Sequence, residues 1–399
     1  MDSDDLIAEL FRRWKVAQES GTPQTAEDLC RACPELLSTF REILPHLAAM
    51  DALFDDKSDE SQAAFSVQID ANEYRGLRFH KAGGLGVVLK GEDVELSRTV
   101  AIKCMKSRYS ADSQAAGRFL QEAEITAKLD HPGVVPIYRM RHDVQGRPYY
   151  AMRFVEGKNL GDAITRFHTL ALHSPERNKE LQSLIDSLRA VCNTVAFAHS
   201  RGVIHRDLKP ENIILGTFGE TIVIDWGLAK LFGVGAKTDD SDPSNETTVF
   251  GLEEGVHKTV EGTVKGSPAF MSPEQASGAI ESLGPASDIY SLGSTLFVLL
   301  TGKIPYTGVD PIAVAAKVKT GVCLSPRELN PEVDRPLEAI CKKAMSKKPE
   351  DRYPDALDMA EDLKRWQAGE PVSVWPEPFT IRARRWLNQI GRASCRERV

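Results

Sequence analysis

The sequence predicts an α+β fold in which a strand-rich segment is followed by a largely helical one. Residues 83–86 hold three glycines between strand-like segments, and residues 99–103 form a short apolar strand that ends in a lysine. A polar, helix-prone segment follows at residues 111–129. This change of pattern along the chain is typical of domains in which sheet and helices are segregated.

The three glycines predict a turn whose backbone N–H groups are accessible, because glycine has no side chain to cover them. Alone, such a turn is as typical of an ordinary loop as of a phosphate-binding loop. A dinucleotide-binding unit would need a helix directly after the glycines and an acidic residue about twenty positions later. Here a second strand-like segment follows and leads to Lys103. The order favours a phosphate-binding turn between two strands.

Residues 205–212 carry the strongest chemical signal. They place a carboxylate (Asp207), a cation (Lys209) and a side-chain amide (Asn212) within six residues. Phosphoryl transfer needs a group that accepts the hydroxyl proton, a cation at the γ-phosphate and ligands for Mg²⁺. Asp225 follows the apolar segment 222–224, and its carboxylate is the kind of ligand that Mg²⁺ prefers. Together these residues predict a phosphoryl-transfer site.

In their order and spacing, these motifs resemble those of the bacterial, eukaryotic-like (Hanks-type) serine/threonine protein kinases over residues 74–366. Three further segments match, residues 272–274, 288–293 and 348–352. The resemblance implies a bilobal fold with a strand-rich N-lobe and a helical C-lobe. It also implies that Glu274 pairs with Arg352, and that Asp288 bonds to the backbone of the 205–212 loop.

The resemblance further implies roles for the site residues, with ATP and Mg²⁺ (or Mn²⁺) held between the lobes. The expected catalytic residues are Asp207 as proton acceptor, Lys209 at the γ-phosphate, Lys103 at the α- and β-phosphates, and Glu122 as the partner of Lys103, with Glu124 as second choice. Nucleotide contacts are expected from Gly83, Gly84, Gly86, Val88, Lys103, Arg153 and Val155, the last two through their backbone. The expected metal ligands are Asn212 and Asp225.

Three positions depart from the family pattern. Lys81 stands where the first glycine of the nucleotide-binding turn is expected, and we expect a modest change in ATP affinity. Trp226 replaces a phenylalanine. Its larger ring is expected to pack between the lobes, and its indole N–H needs a hydrogen-bond partner. Arg153 follows the expected gatekeeper, Met152, where many relatives carry an acid. Its side chain should matter little, because only its backbone is expected to contact adenine.

The expected function is transfer of the γ-phosphoryl group of ATP to serine and threonine hydroxyls of protein substrates. Lys209 and residues 266–271 resemble the serine/threonine branch rather than the tyrosine branch, and Ser267 is expected to bond to Asp207 and Lys209. A nucleotide-binding pseudokinase or scaffold is the alternative, which the intact site residues disfavour. A third interpretation makes the N-terminal module the working part of an interaction protein.

Residues 231–263 are rich in Gly, Asp and Ser, and such composition buries too little apolar surface to fix a conformation. We therefore predict a mobile insertion at residues 239–248 of an activation segment. Because Arg206 precedes Asp207, a phosphate on Thr259 or Thr263 would pair with Arg206 and order the segment. Autophosphorylation, aided by self-association, is the expected regulation. Ordinary loop threonines are the competing interpretation.

The remaining regions predict appendages. Residues 1–55 show helical spacing of apolar side chains, which predicts a small helical module, and residues 56–73 are a polar linker. Residues 367–388 form a basic extension, and residues 389–399 resemble a translated sequencing adapter. The basic cluster Arg382, Arg384 and Arg385 is typical of sequence that precedes a membrane span, so we expect the natural protein to continue towards a membrane anchor.

Composition excludes several classes. A formal net charge of −7 argues against a nucleic-acid binder. Seven scattered cysteines suit a reducing compartment. Cys30 and Cys33 form a Cys-x-x-Cys pair, but a zinc site would need two more ligands, and His46 supplies only one. With no secretory signal and no long apolar segment, the chain is expected in the cytoplasm.

Overall fold

The computed structural model of the protein describes residues 10, 13–14, 17, 25–37, 40–41, 69–109, 112–227, 229–231, 268–279, 282–308 and 310–378. The chain divides into two compact units. The first comprises Met1–Leu120 and Ile137–Phe154, and the second comprises Gln121–Pro136 and Val155–Val399.

The N-terminal residues form a small helical cluster. Helix α1 (Ala26–Leu29) begins after Thr25, whose side chain accepts a hydrogen bond from the Asp28 N–H while the Asp28 carboxylate bonds back to Thr25. Two 3₁₀ helices follow, Cys30–Ala32 and Pro34–Leu36. The buried side chains of the cluster are Leu10, Ala26, Leu29, Cys30, Cys33 and Phe40. Both cysteines are free thiols. The described elements of this cluster are helical, and the predicted module at residues 1–55 stays a prediction. Residues 56–68 of the predicted linker lie outside the described residues.

The first unit is built around a five-stranded antiparallel sheet. Its strands are β1 (Tyr74–Ala82), β2 (Gly86–Asp93), β3 (Arg98–Met105), β4 (Ile137–His142) and β5 (Pro148–Arg153), in the order β1-β2-β3-β5-β4. One face carries a buried apolar cluster to which β2 and β3 contribute Val87, Leu89, Val100, Ile102 and Cys104. Because side chains alternate along a strand, the opposite face carries Val88, Lys90 and Lys103.

Helix α2 (Ser113–Lys128) confirms the helix predicted over residues 111–129. It begins after Asp112, whose side chain accepts the N–H groups of Gln114 and Ala115 at 2.9 and 3.1 Å. In the first unit, the fully buried Phe119 packs on Tyr150 with ring centroids 5.3 Å apart. The division between the two units falls within this helix, before Gln121.

The second unit is mainly helical. Its helices are α3 (Leu160–Thr169), α4 (Pro175–Ser200), α5 (Pro273–Ala276), α6 (Pro285–Thr301), α7 (Pro311–Thr320), α8 (Pro326–Leu329), α9 (Arg335–Ala344) and α10 (Ala356–Gln367). Helix α6 is buried along almost its whole length. It ends at Thr301 and is capped by Gly302, whose φ of 68° suits a residue without a side chain. None of the described helices combines the length and apolarity needed to cross a bilayer.

Five short strands complete the second unit and flank the 205–212 loop and the turn that carries Asp225. They are β6 (Gly157–Asn159), β7 (Val203–Ile204), β8 (Ile213–Gly216), β9 (Thr221–Val223) and β10 (Lys230–Leu231). Strands β6, β8 and β9 form one sheet, and β10 pairs with β7. The strand predicted at residues 222–224 is observed as β9, which ends one residue earlier, at Val223. The Ile224 N–H still donates to the carbonyl of Asn212, the residue opposite it in the same register. The predicted α+β fold, strands first and helices after, is confirmed.

Candidate active site

The loop between β7 and β8 is fixed by one buried carboxylate on α6. Asp288 accepts the backbone N–H groups of His205 and Arg206, each at 2.8 Å, and contacts Nε2 of His199 at 2.8 Å. Burial alone would raise the pKa of Asp288. The hydrogen bond and the charge of His199 are the largest of the effects that outweigh it, so the pKa of Asp288 lies below its ordinary value. The predicted bond between Asp288 and the loop backbone is confirmed.

The three polar groups predicted to act together converge on this loop. Lys209 Nζ lies 2.7 Å from Asp207 Oδ2. Asn212, in the 3₁₀ turn Pro210–Asn212, donates its Nδ2 to the Asp207 carbonyl at 2.9 Å and to Asp207 Oδ2 at 3.3 Å. The charges of Asp207 and Lys209 are therefore paired on the loop, and both contacts of the Asn212 side chain with Asp207 use its amide nitrogen.

The Asp225–Trp226–Gly227 turn follows β9 and lies against the same loop. Asp225 has a φ of 67°, a left-handed conformation that is uncommon for residues other than glycine. The Trp226 ring is 1% exposed, lies 4.6 Å from the His205 ring, and donates its Nε1–H to the Val223 carbonyl at 3.3 Å. The prediction that this indole needs a hydrogen-bond partner is confirmed, and the buried ring holds the turn that carries Asp225.

Glu122 lies beside this turn within the second unit. It is 5% exposed, and a Cβ added at Gly227 would lie 3.0 Å from Glu122 Oε2 and 3.2 Å from Asp225 Oδ1. Glu124, the second choice, forms a surface pair with Lys128 one helical turn later. Burial therefore supports Glu122 over Glu124. Its pairing with Lys103, which belongs to the first unit, stays a prediction.

Asn212 and Asp225 offer two hard oxygen donors on adjoining segments, because the Ile224 N–H donates to the Asn212 carbonyl at 2.9 Å. The described residues contain no group of three or more His, Cys, Asp or Glu side chains that could hold a metal by themselves. A pair of oxygen donors fits an ion such as Mg²⁺, which commonly takes its other ligands from phosphate and water.

In the first unit, the predicted nucleotide-binding turn closes through a hydrogen bond of 2.8 Å from Gly83 N to Gly86 O. A Cβ at Gly84 would meet no atom within 4 Å, so the backbone there is open. A Cβ at Gly86 would lie 2.7 Å from the Cys104 carbonyl. Glycine at position 86 is therefore needed for the close approach of β3, which sequence reasoning had not indicated.

The remaining predicted nucleotide contacts lie on strands or just after them. Val88 pairs with Lys103 across β2 and β3, which places both side chains on one face of the sheet. Arg153 ends β5 opposite Val100. Val155 belongs to the second unit, just before β6. The nucleotide roles of all these residues stay predictions.

The predicted pair of Glu274 and Arg352 is confirmed. Arg352 Nη1 and Nη2 contact the two carboxylate oxygens of Glu274 at 2.7 and 2.8 Å. Burial alone would raise the pKa of Glu274, but the Arg352 bonds outweigh it, and the net pKa lies below its ordinary value. This pair secures the start of α5 in the second unit.

Two positioning residues were missed from the sequence. His199, near the end of α4, reaches Asp288, and Gln275 Nε2 donates to the Arg206 carbonyl at 2.8 Å. Gln275 directly follows Glu274, which is the only signal that could have indicated it. Ser267, Thr259, Thr263 and residues 239–248 lie outside the described residues.

Comparison with known proteins agrees with this geometry. The family model described as the protein kinase domain matches residues 82–363. The chain is 34% identical over 319 residues to the serine/threonine-protein kinase PknD of Chlamydia trachomatis serovar D, covering 78% of this chain and 33% of that protein. It is 34% identical over 294 residues to the serine/threonine-protein kinase PrkC of Bacillus subtilis, covering 74% of this chain and 40% of PrkC.

The chain thus spans well under half the length of these relatives. The family match nevertheless extends over more than half of the chain and includes the glycine turn, the 205–212 loop, the Asp225 turn and the Glu274–Arg352 pair. The chain therefore belongs to the protein kinase family.

Proposed function

We propose that this protein is a serine/threonine protein kinase that transfers the γ-phosphoryl group of ATP to serine and threonine hydroxyls of other proteins. The observation that carries this proposal is the convergence of Asp207, Lys209 and Asn212 on a loop anchored by Asp288. Phosphoryl transfer depends on such positioning more than on covalent chemistry. The names of the relatives support the serine/threonine class.

In this proposal Asp207 orients the substrate hydroxyl and accepts its proton late, because an alkyl hydroxyl has no useful acidity near pH 7. Lys209, paired with Asp207 at 2.7 Å, places its charge at the γ-phosphate. Asn212 and Asp225 hold Mg²⁺, or Mn²⁺, through their oxygens. When bound, the ion neutralises the charge of the phosphate oxygens.

The first unit contributes nucleotide binding. The open backbone of Gly84, in the turn that Gly83 closes by its bond to Gly86, suits phosphate oxygens, and Lys103 adds a cation on the same face as Val88. We assign Gly86 and the backbone of Arg153 and Val155 to the same function, and Glu122 to orienting Lys103. We also propose that Arg206 responds to phosphorylation of the activation segment.

The proposal is tested by incubating the full chain with γ-labelled ATP, Mg²⁺ or Mn²⁺, and a general protein substrate. Wild type is expected to give acid-stable phosphoserine and phosphothreonine, and Asp225→Asn to give almost none. Asp358→Asn, an exposed position on α10, should match wild type. If wild type showed no incorporated label and no ATP-dependent thermal protection with either metal, the proposed kinase function would be refuted. Protection without transfer would indicate a pseudokinase.

Gly227→Ala should lower kcat about tenfold. The added methyl group would lie 3.0–3.2 Å from two carboxylate oxygens, so Glu122 and Asp225 must shift by a few tenths of an ångström. Misplacement of a catalytic group by about 1 Å can cost roughly 10²-fold in rate. The control is Gly284→Ser, which adds a side chain at the N-cap of α6, where a Cβ meets open space. Steady-state kinetics would measure kcat for both variants. Equal values would contradict the assignment of Glu122 and Asp225 to the catalytic site.

A further inference from the structure

The face of the sheet that carries Lys103 also carries a histidine that the proposed chemistry does not use. The His80 ring lies 5.1 Å from the Phe154 ring, edge to face at 75°. Lys90 Nζ lies 4.2 Å from the centroid of the same Phe154 ring. We call His80, Lys90 and Phe154 the His80 cluster.

Strand register places the cluster on the sheet face that carries Val88 and Lys103, the residues proposed to contact the nucleotide. Lys90 pairs with Ala101 and Val88 pairs with Lys103, so Lys90 shares a face with Val88 and Lys103. The shared contact with Phe154 brings His80 to that face. His80 also lies three residues before Gly83, near the end of the strand that leads into the glycine turn.

The charges around His80 on β1 and β2 are positive. Lys81 is its neighbour on β1, Lys90 faces it from β2, and Arg78 is the strand partner of Lys90. Phe154, which packs against it beyond the end of β5, carries no charge. Burial is the largest cause that lowers the pKa of His80, and the charges of Lys81 and Lys90 lower it further. The free protein therefore holds this imidazole neutral near pH 7.

We propose that His80 takes up a proton when a polyphosphate nucleotide binds next to the glycine turn, so that nucleotide affinity rises as the pH falls. This inference rests on the proposed function, since it needs a nucleotide at that turn. The polyphosphate anion offsets the field of Lys81 and Lys90, which removes part of the penalty for a third cation. The proton comes from the buffer and forms an N–H bond on the imidazole.

Linkage fixes the direction of the effect. If binding raises the pKa of His80, protonation of His80 must raise the affinity by the same factor. Affinity is constant at high pH, rises as the pH falls through the pKa of the bound state, and levels off below the lower pKa of the free state. An uncharged ligand such as adenosine should leave His80 neutral.

The test is calorimetric titration of the full chain with ATP, ADP and adenosine, without metal ions, in pairs of buffers that differ in ionisation enthalpy. The number of protons taken up per ATP bound should be smaller for His80→Gln than for wild type. The gain in ATP affinity from pH 8 to pH 6 should be about three- to tenfold smaller in the variant, since one unit of pKa corresponds to a factor of ten. The nucleotide phosphates titrate near pH 6 themselves, so only the difference between proteins is informative.

Two further variants sharpen the result. His142→Gln removes another histidine of the same unit, exposed on β4, and should behave as wild type. Lys90→Gln removes a cation that depresses the pKa of His80, and should move the proton uptake to a higher pH range. Tight ATP binding with equal uptake in wild type and His80→Gln would overturn this inference alone. Absence of ATP binding to wild type, with Mg²⁺ also tried, would overturn the proposed function and this inference with it.

Discussion

Replacing Asp207 by asparagine is expected to lower kcat by a factor of about 10²–10⁴ and to leave KM for ATP nearly unchanged, the pattern of a group that acts in the transition state. Asparagine has the shape of aspartate, and its oxygen can still accept from Lys209 and from Asn212, which lie 2.7 and 3.3 Å from Asp207 Oδ2. The loop should keep its geometry because Asp288 holds it through the backbone. What the variant loses is the proton acceptor.

Steady-state kinetics with a serine peptide, together with thermal unfolding of both proteins, would measure this. The matched control is Asp186→Asn, which removes an exposed carboxylate on α4 that pairs with Arg189 at the surface. The control should keep wild-type kcat and stability. If Asp207→Asn retained kcat within about threefold, another group would have to accept the proton and the role of Asp207 would be wrong.

Parts of the site that lie close in sequence could be predicted from their residue types. Asp207, Lys209 and Asn212 fall within six residues, so any compact turn brings them within a few ångströms of one another. The glycine turn at residues 83–86 is equally local, and its single hydrogen bond from Gly83 to Gly86 closes it. For these segments the sequence predicted which residues lie together, and their chemical roles stay predictions.

Contacts between distant residues were predictable only through resemblance to a family. Asp288 lies more than eighty residues after the backbone groups it binds, and no periodicity indicates that link. His199 was missed for the same reason, because a histidine on a helix gives no sign of what its side chain reaches. The partner of the Trp226 indole, the Val223 carbonyl, also could not be foreseen, because residue types do not indicate which carbonyl a buried indole reaches.

Replacing Arg352 by methionine is expected to destabilise the second unit by about 3–5 kcal/mol, because it leaves a buried carboxylate without its partner. All five N–H donors of Arg352 are used: two bind Glu274, and the others bind the carbonyls of Ser346, Ala286 and Lys347. Lysine has only three donors and no planar fork, so Arg352→Lys should restore little of the loss. Thermal unfolding should show the methionine variant about 10 °C below wild type.

The control is Arg365→Met, because Arg365 pairs with Glu361 at an exposed position on α10. Exposed pairs contribute little, so its unfolding midpoint should match wild type. A second comparison uses the double variant Glu274→Met with Arg352→Met. Removing both charges leaves no unpaired ion, and the double variant should be more stable than Arg352→Met alone. A less stable double variant would contradict this account, because it would show that Glu274 stabilises the second unit without Arg352, as through its bond with Ser287.

The stability lost in Arg352→Met should depend on pH. This dependence distinguishes an unpaired charge on Glu274 from lost packing more directly than the double variant does. In wild type, burial raises the pKa of Glu274 but the Arg352 bonds outweigh it, so the stabilisation is present above the ordinary value of 4.5 and is lost as the pH falls through the lower folded-state value. Without Arg352, burial dominates and raises this pKa, so protonation relieves the variant as the pH falls. The gap in unfolding free energy between the two proteins should therefore narrow from pH 7 to pH 4. A gap that stays constant over this range would mean that an unpaired charge on Glu274 is not the cause.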